Sequence, residues 1–135
     1  MNNKVAILLG SENDMKFVEP SYKYFNFFSI TVETHIMSAH RNPDNVTDFA
    51  KKAQKNGYSI LIGAAGMAAH LAGTLKANSI LPVIGVPLPG GVSDGMDSLL
   101  STVQMPKGVP VATMSIGTSG FINAAILCAE IIALN

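Results

Sequence analysis

Near its amino terminus the chain reads Val5-Ala-Ile-Leu-Leu9 and then Gly10-Ser-Glu-Asn-Asp14, an apolar run followed directly by a short polar segment. A continuous run of aliphatic residues is typical of a strand that is buried on both faces, as in a parallel sheet. A glycine and a serine directly after such a run predict a tight turn that opens a helix. The stretch therefore predicts the first βα unit of an α/β fold.

The same alternation continues along the chain. Five apolar runs are separated by segments long enough to hold a helix, which is the pattern of βαβ units. The predicted strands are 5–9, 30–36, 59–62, 81–86 and 109–113. The predicted helices are 14–27, 44–56, 67–78, 94–104 and 122–133. No repeat or linker interrupts the sequence, so we expect one domain, 1–135, folded as a three-layer α/β/α sandwich with a five-stranded parallel sheet.

Local signals refine two of the predicted helices. Pro20 lies inside the first one, where a proline removes a backbone donor, so we expect a kink there. Asp44 follows Pro43 and is the predicted amino-terminal cap of the second helix. Asn56-Gly57 is predicted to stop that helix through a left-handed residue.

The amino-acid composition excludes some classes of function and favours others. Hydrophobic residues make up 48% of the chain and charged residues only 13%, against roughly 25% charged in a typical soluble domain. Nine basic residues balance nine acidic ones, and Arg41 is the only arginine among them. Nucleic-acid binding needs clustered positive charge, so we expect no nucleic-acid partner. So little charge coats a lone small protein poorly, which favours burial of apolar surface between subunits.

We expect neither a membrane-spanning segment nor disulfide bonds. The apolar segment near the carboxyl terminus contains Glu130 and is shorter than the ~20 residues that cross a bilayer. Cys128 is the single cysteine and lies in an apolar run, as a small buried residue would. We expect a cytoplasmic protein without a membrane partner.

Four predicted strand ends are followed by segments rich in glycine and polar residues. Ligands of open α/β sheets bind outside the carboxyl ends of the strands, so these segments are candidate site loops. In the first, Ser11 and exposed backbone N–H groups can hold a phosphate or a ribose. A tight turn with a capping serine explains Ser11 equally well, and local sequence leaves both interpretations open.

The second loop carries Ser38-Ala39-His40-Arg41. An arginine clamps a phosphate with planar geometry, whereas a surface ion pair is the alternative for Arg41. The imidazole of His40 can act as a general acid and base near neutral pH, and a capping or loop role is its alternative. His70, predicted in the first turn of the third helix, either hydrogen-bonds a ligand or only packs against the loop. His35, within a strand, is predicted to be a partly buried structural residue.

Several common site motifs are missing from the sequence. It contains no Gly-x-Gly-x-x-Gly fingerprint and no Walker loop. It also lacks Cys-x-x-Cys and His-x-x-x-His spacings, so we expect no metal site.

Taken together, the loops resemble those of the PurE family, and the similarity spans nearly the whole chain in order. The matching segments are Gly10-Ser-Glu-Asn-Asp14, Ser38-Ala-His-Arg-Asn-Pro43, Ala68-Ala-His-Leu71, Leu81-Pro-Val-Ile-Gly-Val-Pro87 and the segment 95–110 with its Asp97-Ser-Leu and Gln104-Met-Pro motifs. The resemblance implies a flavodoxin-like fold, a homo-octamer and no metal or organic cofactor. The chain differs from the family pattern at Asn13, at Ala72 and over 89–94, and it lacks the family's usual additional carboxyl-terminal helix.

The resemblance also implies an isomerase of purine (IMP) biosynthesis. Its small-molecule substrate is 5-(carboxyamino)imidazole ribonucleotide, whose carboxylate moves from the exocyclic nitrogen to ring carbon four. The matching positions make His40 the catalytic acid and base. The implied substrate-binding residues are Ser11, Asp14, Ser38, Ala39, Arg41, Gly66, His70 and Leu71.

Two alternatives stay open at this point. One is direct carboxylation of aminoimidazole ribonucleotide by carbon dioxide, although His70 followed by Leu71 resembles the isomerase branch of the family. The other is a ribonucleotide-binding protein without catalysis.

Overall fold

The computed structural model describes residues 2–135, and within that range five parallel strands form one sheet. The strands are β1 (Lys4–Leu9), β2 (Thr31–Ile36), β3 (Ile60–Ala65), β4 (Val83–Pro87) and β5 (Ala112–Thr113). Their spatial order is β2-β1-β3-β4-β5. This is the order of flavodoxin-like sheets, in which the chain winds in opposite directions from β1 and β3. The predicted five-stranded parallel sheet is confirmed.

Six α-helices accompany the strands within residues 2–135, five of them between strands and the sixth after β5. They are α1 (Met15–Val18), α2 (Tyr22–Phe27), α3 (Pro43–Lys52), α4 (Leu71–Asn78), α5 (Met96–Val103) and α6 (Thr118–Ala133). Short 3₁₀ turns occupy Glu12–Asp14, Glu19–Ser21 and Val92–Asp94. None of the helices in this part of the chain is both long and apolar enough to span a membrane.

The sheet separates two apolar cores, because successive side chains of a strand point to opposite faces. Val5 and Ile7 of β1 pack with residues of α1, α2 and α6. Ala6 and Leu8 point the other way and pack with residues of α3 and α4. Each of these four residues is fully buried. The α/β/α layering therefore follows from an apolar strand that is covered on both sides.

The structure confirms one sequence-based expectation about the helices and corrects two others. The predicted kink at Pro20 is confirmed, because a 3₁₀ turn at Glu19–Ser21 separates α1 from α2. The prediction that Asp44 caps α3 is wrong: Asn42 is the cap and Pro43 begins the helix, where its missing N–H costs nothing. The predicted start of α4 at residue 67 is also wrong. Met67 has a φ of 53°, which a right-handed helix cannot contain, and α4 begins at Leu71.

Three other boundaries also differ from the sequence-based expectations. The last strand is shorter than the predicted 109–113, because only Ala112–Thr113 pairs with β4. Helix α3 ends at Lys52, ahead of the predicted stop, although Gly57 has the expected positive φ of 90°. Helix α6 begins at Thr118 rather than at residue 122.

Two glycines allow the helices to approach the sheet closely. A Cβ added to Gly63 of β3 would lie 2.8 Å from the Cα of Ala72 in α4. A Cβ added to Gly85 of β4 would lie 2.5 Å from Cγ2 of Thr102 in α5. Both distances are well inside van der Waals contact, so any side chain at these positions would push a helix away from the strands.

We predict that Gly63→Ala destabilises the protein by about 1–3 kcal/mol, the usual cost of overpacking. The obstacle is helix backbone, which cannot rotate aside as a side chain would. The free energy of unfolding is measured by urea denaturation. Gly10→Ala is the matched control, because a Cβ there would meet nothing within 4 Å. Equal stabilities of the two variants would contradict the prediction.

Candidate active site

A cavity of about 450 Å³ opens at the carboxyl edge of the sheet. The loops that follow β1, β2, β3 and β4 all line it, and its position is the switch point between β1 and β3. The nine residues that the sequence singled out all lie in this lining: Ser11, Asp14, Ser38, Ala39, His40, Arg41, Gly66, His70 and Leu71. The tertiary structure therefore brings the four segments into one site, as expected for parallel strand ends.

The loop after β2 is braced by its own polar groups. The Ser38 hydroxyl accepts a hydrogen bond from the backbone N–H of Arg41 at 3.2 Å, and the Ser38 carbonyl accepts one from Asn42 at 2.8 Å. The Asn42 side chain in turn accepts from the backbone N–H of Ser38 at 3.3 Å. These bonds close the loop on itself and leave the side chains of His40 and Arg41 exposed at its tip.

The two site histidines are hydrogen-bonded to each other. Nε2 of His40 lies 2.8 Å from Nδ1 of His70, and the ring planes are nearly perpendicular, at 86°. One nitrogen must donate and the other accept, so the two facing atoms hold a single proton between them. A pair of this kind can take up a proton at one ring and pass it to the other. Sequence spacing gave no sign of the contact, because the residues are 30 positions apart.

Arg41 has no ion-pair partner among residues 2–135. The two ion pairs found within residues 2–135 are Lys4 with Glu33 and Lys52 with Asp48, so the surface ion-pair interpretation of Arg41 is wrong. Its guanidinium lines the cavity beside His40. An unpaired guanidinium at a cavity wall has its five N–H donors available for an anionic group.

The first loop combines the two roles that local sequence left open. The Ser11 hydroxyl accepts a hydrogen bond from the backbone N–H of Asn13 at 3.3 Å, as a capping residue does, and it also lines the cavity. Asp14 is partly buried beside it. Burial raises the pKa of the Asp14 carboxyl, while Lys16 and a backbone hydrogen bond at Ser11 act in the opposite direction. The cavity therefore contains a carboxylate that is incompletely solvated and able to accept ligand hydroxyls.

His70 and His35 differ in their surroundings. His70 is the residue before α4 rather than part of its first turn, which corrects the predicted position, and its carbonyl accepts from the N–H of Thr74 at 2.9 Å. His35 lies outside the cavity lining. Its Nε2 is 3.3 Å from the hydroxyl of Tyr58, and its ring packs against Phe49 at 4.9 Å between centroids. The predicted structural role of His35 is confirmed.

Seven cavity residues were not among the catalytic and substrate-binding residues predicted from the sequence. They are Gly10, Asn13, Ala65, Met67, Ala68, Pro89 and Gly90. All of them follow predicted strands, so the strand-end rule was the signal that could have found them. Pro89 and Gly90 belong to the loop after β4, and the Ser98 hydroxyl fixes this loop by donating to the Leu88 carbonyl at 2.6 Å.

Other reactive groups lie apart from the cavity or do not cluster. Within residues 2–135 no three His, Cys, Asp or Glu side chains are grouped in a way that could hold a metal ion. Cys128 is buried in the core, as predicted, and burial raises the pKa of its thiol to about 12. The thiol is therefore not a nucleophile at neutral pH.

The chain matches one family over nearly its full length. The family model described as AIR carboxylase matches residues 4–135. The N5-carboxyaminoimidazole ribonucleotide mutase of Escherichia coli is 43% identical over 130 residues, which are 96% of this chain and 77% of that protein. The mutase of the same name from Saccharolobus solfataricus is 46% identical over 131 residues, 97% of this chain and 82% of that protein.

A solved structure agrees with these sequence matches. The crystal structure of Treponema denticola PurE superposes with a TM-score of 0.85 at 28% identity, covering 97% of this chain and 80% of that one. The resemblance to the PurE family that the loop motifs indicated is thereby confirmed, and so is the flavodoxin-like fold.

We predict that Asp14→Asn raises the melting temperature at pH 7 and leaves it unchanged at pH 3. Because the pKa of the folded carboxyl is raised, the folded state binds the proton more tightly than the unfolded chain. The charged form therefore weakens folding once the pH exceeds the unfolded pKa, and it contributes nothing below that value. Thermal unfolding at the two pH values tests this. A lower melting temperature at pH 7 would contradict it.

Proposed function

The chain belongs to the AIR carboxylase family, and from that premise we propose that it is an N5-carboxyaminoimidazole ribonucleotide mutase of purine biosynthesis. The isomerase moves a carboxylate from the exocyclic nitrogen of the ribonucleotide to ring carbon four. The relatives that bear this name cover 96–97% of the chain at 43–46% identity. The observation that carries the proposal is the hydrogen-bonded pair of His40 and His70 beside an unpaired Arg41 in one cavity.

Arg41, Ser11 and Asp14 are proposed to bind the ribose phosphate. The guanidinium of Arg41 forms no ion pair with a carboxylate within residues 2–135. A phosphate is the anion that this planar donor binds best. Ser11 and Asp14 lie on the neighbouring loop, where a hydroxyl and a carboxylate can bond the ribose hydroxyls. These contacts place the imidazole ring of the substrate toward the two histidines.

His40 is proposed to serve first as the acid and then as the base. It donates a proton to the exocyclic nitrogen as the nitrogen–carboxylate bond breaks, and carbon dioxide and aminoimidazole ribonucleotide are the products of that step. Ring carbon four then attacks the carbon dioxide, and His40 removes the proton that this carbon carried. The proton balance returns to its start, so one group can perform both steps.

Small residues line the part of the cavity in which carbon dioxide would be held. Ala39, Gly66 and Leu71 provide the apolar or small walls of the cavity, and His70 stands among them. Excluding water there protects the intermediate carbon dioxide from loss or hydration. His70 is proposed to set the tautomer of His40 through their shared hydrogen bond, and Ser38 to hold the loop that carries His40.

Direct carboxylation of aminoimidazole ribonucleotide is the second candidate, because the family model is described as AIR carboxylase. The two activities share the carbon–carbon bond-forming step and differ in where the carbon dioxide originates. A binding protein without catalysis is the third candidate. The absence of a metal or organic cofactor and the cytoplasmic location stay predictions.

We predict that the protein converts the carboxyamino ribonucleotide to its carbon-linked isomer without added bicarbonate, and that His40→Asn lowers kcat by about 10²–10⁴-fold, the usual contribution of a general acid–base. Ribonucleotide binding should persist in that variant. Product formation is followed by absorbance, and binding by calorimetry with aminoimidazole ribonucleotide.

Arg41→Met is the matched variant, since it should raise KM and weaken binding more than it lowers kcat. Lys55→Met removes a positive charge that lies outside the cavity and should change neither parameter. Turnover that requires bicarbonate and aminoimidazole ribonucleotide would assign the direct carboxylation instead. Binding without turnover of either substrate would assign the non-catalytic role.

The exposed apolar surface supports a homo-oligomer, which we propose is an octamer. Phe27 is 79% exposed, Ile80 78% and Val92 70% in the isolated chain. Met96 and Leu100 add a half-exposed apolar face on α5. Surfaces of this kind mark interfaces in soluble proteins. Sedimentation velocity is expected to give eight times the 14.2 kDa chain mass, and a monomer would contradict the proposal.

A further inference from the structure

Helix α5 contributes no residue to the cavity lining, yet two of its serines contact the loops that do. Ser98 donates to the carbonyl of Leu88, directly before the cavity residues of the fourth loop. Ser101, one turn later, contacts the loop that leads to His70. Ser98 is fully buried and bonds Leu88, the residue that follows β4. Helix α5 is therefore held in a fixed position, from which Ser101 contacts the loop after β3.

The Ser101 hydroxyl uses both of its hydrogen-bonding roles. Its oxygen accepts from the backbone N–H of Ala69 at 2.9 Å. The nearest acceptor for its proton is the carbonyl oxygen of Asp97, 2.7 Å from the hydroxyl oxygen. The carbonyl oxygen of Met67, in the loop after β3, lies farther away at 3.3 Å. The bond to Asp97 orients the oxygen lone pairs toward Ala69, so the helix aims the hydroxyl at the loop.

The Ala69 N–H depends on this serine for its partner. Ala69 is only 3% exposed, so its N–H has little access to water if the hydroxyl is removed. A buried donor without a partner is costly, and the loop would move to relieve it. The same short loop already contains Met67 in the left-handed region, with a φ of 53°. The conformation of this segment therefore relies on contacts from outside it.

We propose that Ser101 is a positioning residue that holds His70 in hydrogen-bonding distance of His40. His70 is the residue that follows Ala69, so a shift of Ala69 moves the 2.8 Å contact between the two imidazoles. The inference rests on the proposed mutase function for its kinetic consequence. Its structural consequence, the loss of the histidine contact, can be observed without turnover.

The kinetic test compares Ser101→Ala with Ser101→Thr. The alanine variant is expected to lower kcat by roughly tenfold to a hundredfold, the effect of misplacing a catalytic group by up to about 1 Å. KM should change less than threefold, because Arg41 still binds the phosphate. The threonine variant keeps the hydroxyl and should recover kcat to within about threefold of the unmodified enzyme. Ser101→Cys, with a weak acceptor of similar size, should resemble the alanine variant.

Ser21→Ala is the matched control for stability. Ser21 is a buried serine whose hydroxyl, like that of Ser101, bonds a backbone carbonyl, that of Val18 at 2.6 Å, but it lies far from the loop after β3 in the chain and outside the cavity lining. The control should lose stability without losing kcat. An equal loss of kcat in Ser21→Ala and Ser101→Ala would show a general effect of destabilisation and would overturn the proposal.

A double-mutant cycle with His70→Ala tests the route of the effect. If Ser101 acts through His70, the double variant should have a kcat within about twofold of that of His70→Ala alone. A full additional loss would mean that Ser101 acts elsewhere and would overturn the proposal.

The second readout is an NMR spectrum that correlates the carbon and proton signals of the imidazole rings, recorded at fixed pH without substrate. Ser101→Ala should shift the signals of His40 and His70, whereas the signal of His35, which lies outside the cavity, should stay in place. Unchanged signals for the pair would overturn the positioning role even if the enzyme were active. An inactive unmodified protein with shifted signals would instead reject the mutase function alone.

Discussion

The pairing of β1 with β2 on one side and with β3 on the other is the constraint on which the rest of the structure depends. Val5 faces Val32 of β2 and Ile60 of β3, and the same register continues to Leu9. Because the strands are parallel, their carboxyl ends finish at one edge, and the loops after β1 and β3 leave that edge in opposite directions. The cavity is the space between those loops, so it exists because of the strand order.

Close packing under the sheet edge determines how accurately the loops are held. Gly63 and Gly85 let α4 and α5 lie directly against β3 and β4. The carboxyl end of β3 and the start of α4 are joined by only five residues, 66–70. A segment this short has few conformations once both ends are anchored, and Ser101 reduces them further by bonding Ala69. Helix packing on one face therefore sets the position of His70 at the edge.

The site also shows how a chain with few charges can still present a polar cavity. Hydroxyl groups satisfy the loop backbone: Ser38 bonds Arg41 within the second loop, Ser101 of α5 bonds the third loop, and Ser98 of α5 bonds the fourth. Neutral groups support these loops, so the side chains of His40 and Arg41 are not needed to brace them. Asp14 differs from these groups, because burial raises the pKa of its carboxyl and the charged form therefore opposes folding at neutral pH.

The sequence by itself determined the fold class, the sheet edge that bears the site and the residue types in it. Those features are local: apolar runs make strands, and Ser38, Ala39, His40 and Arg41 are consecutive. Only the tertiary structure decided that His40 touches His70, that α4 begins at Leu71 and that Ser101 supports Ala69. Each of these depends on a contact between segments 30 or more residues apart, or on a left-handed residue imposed by such contacts. Periodicity and propensity describe residues that are close in sequence, whereas packing determines which distant segments contact each other.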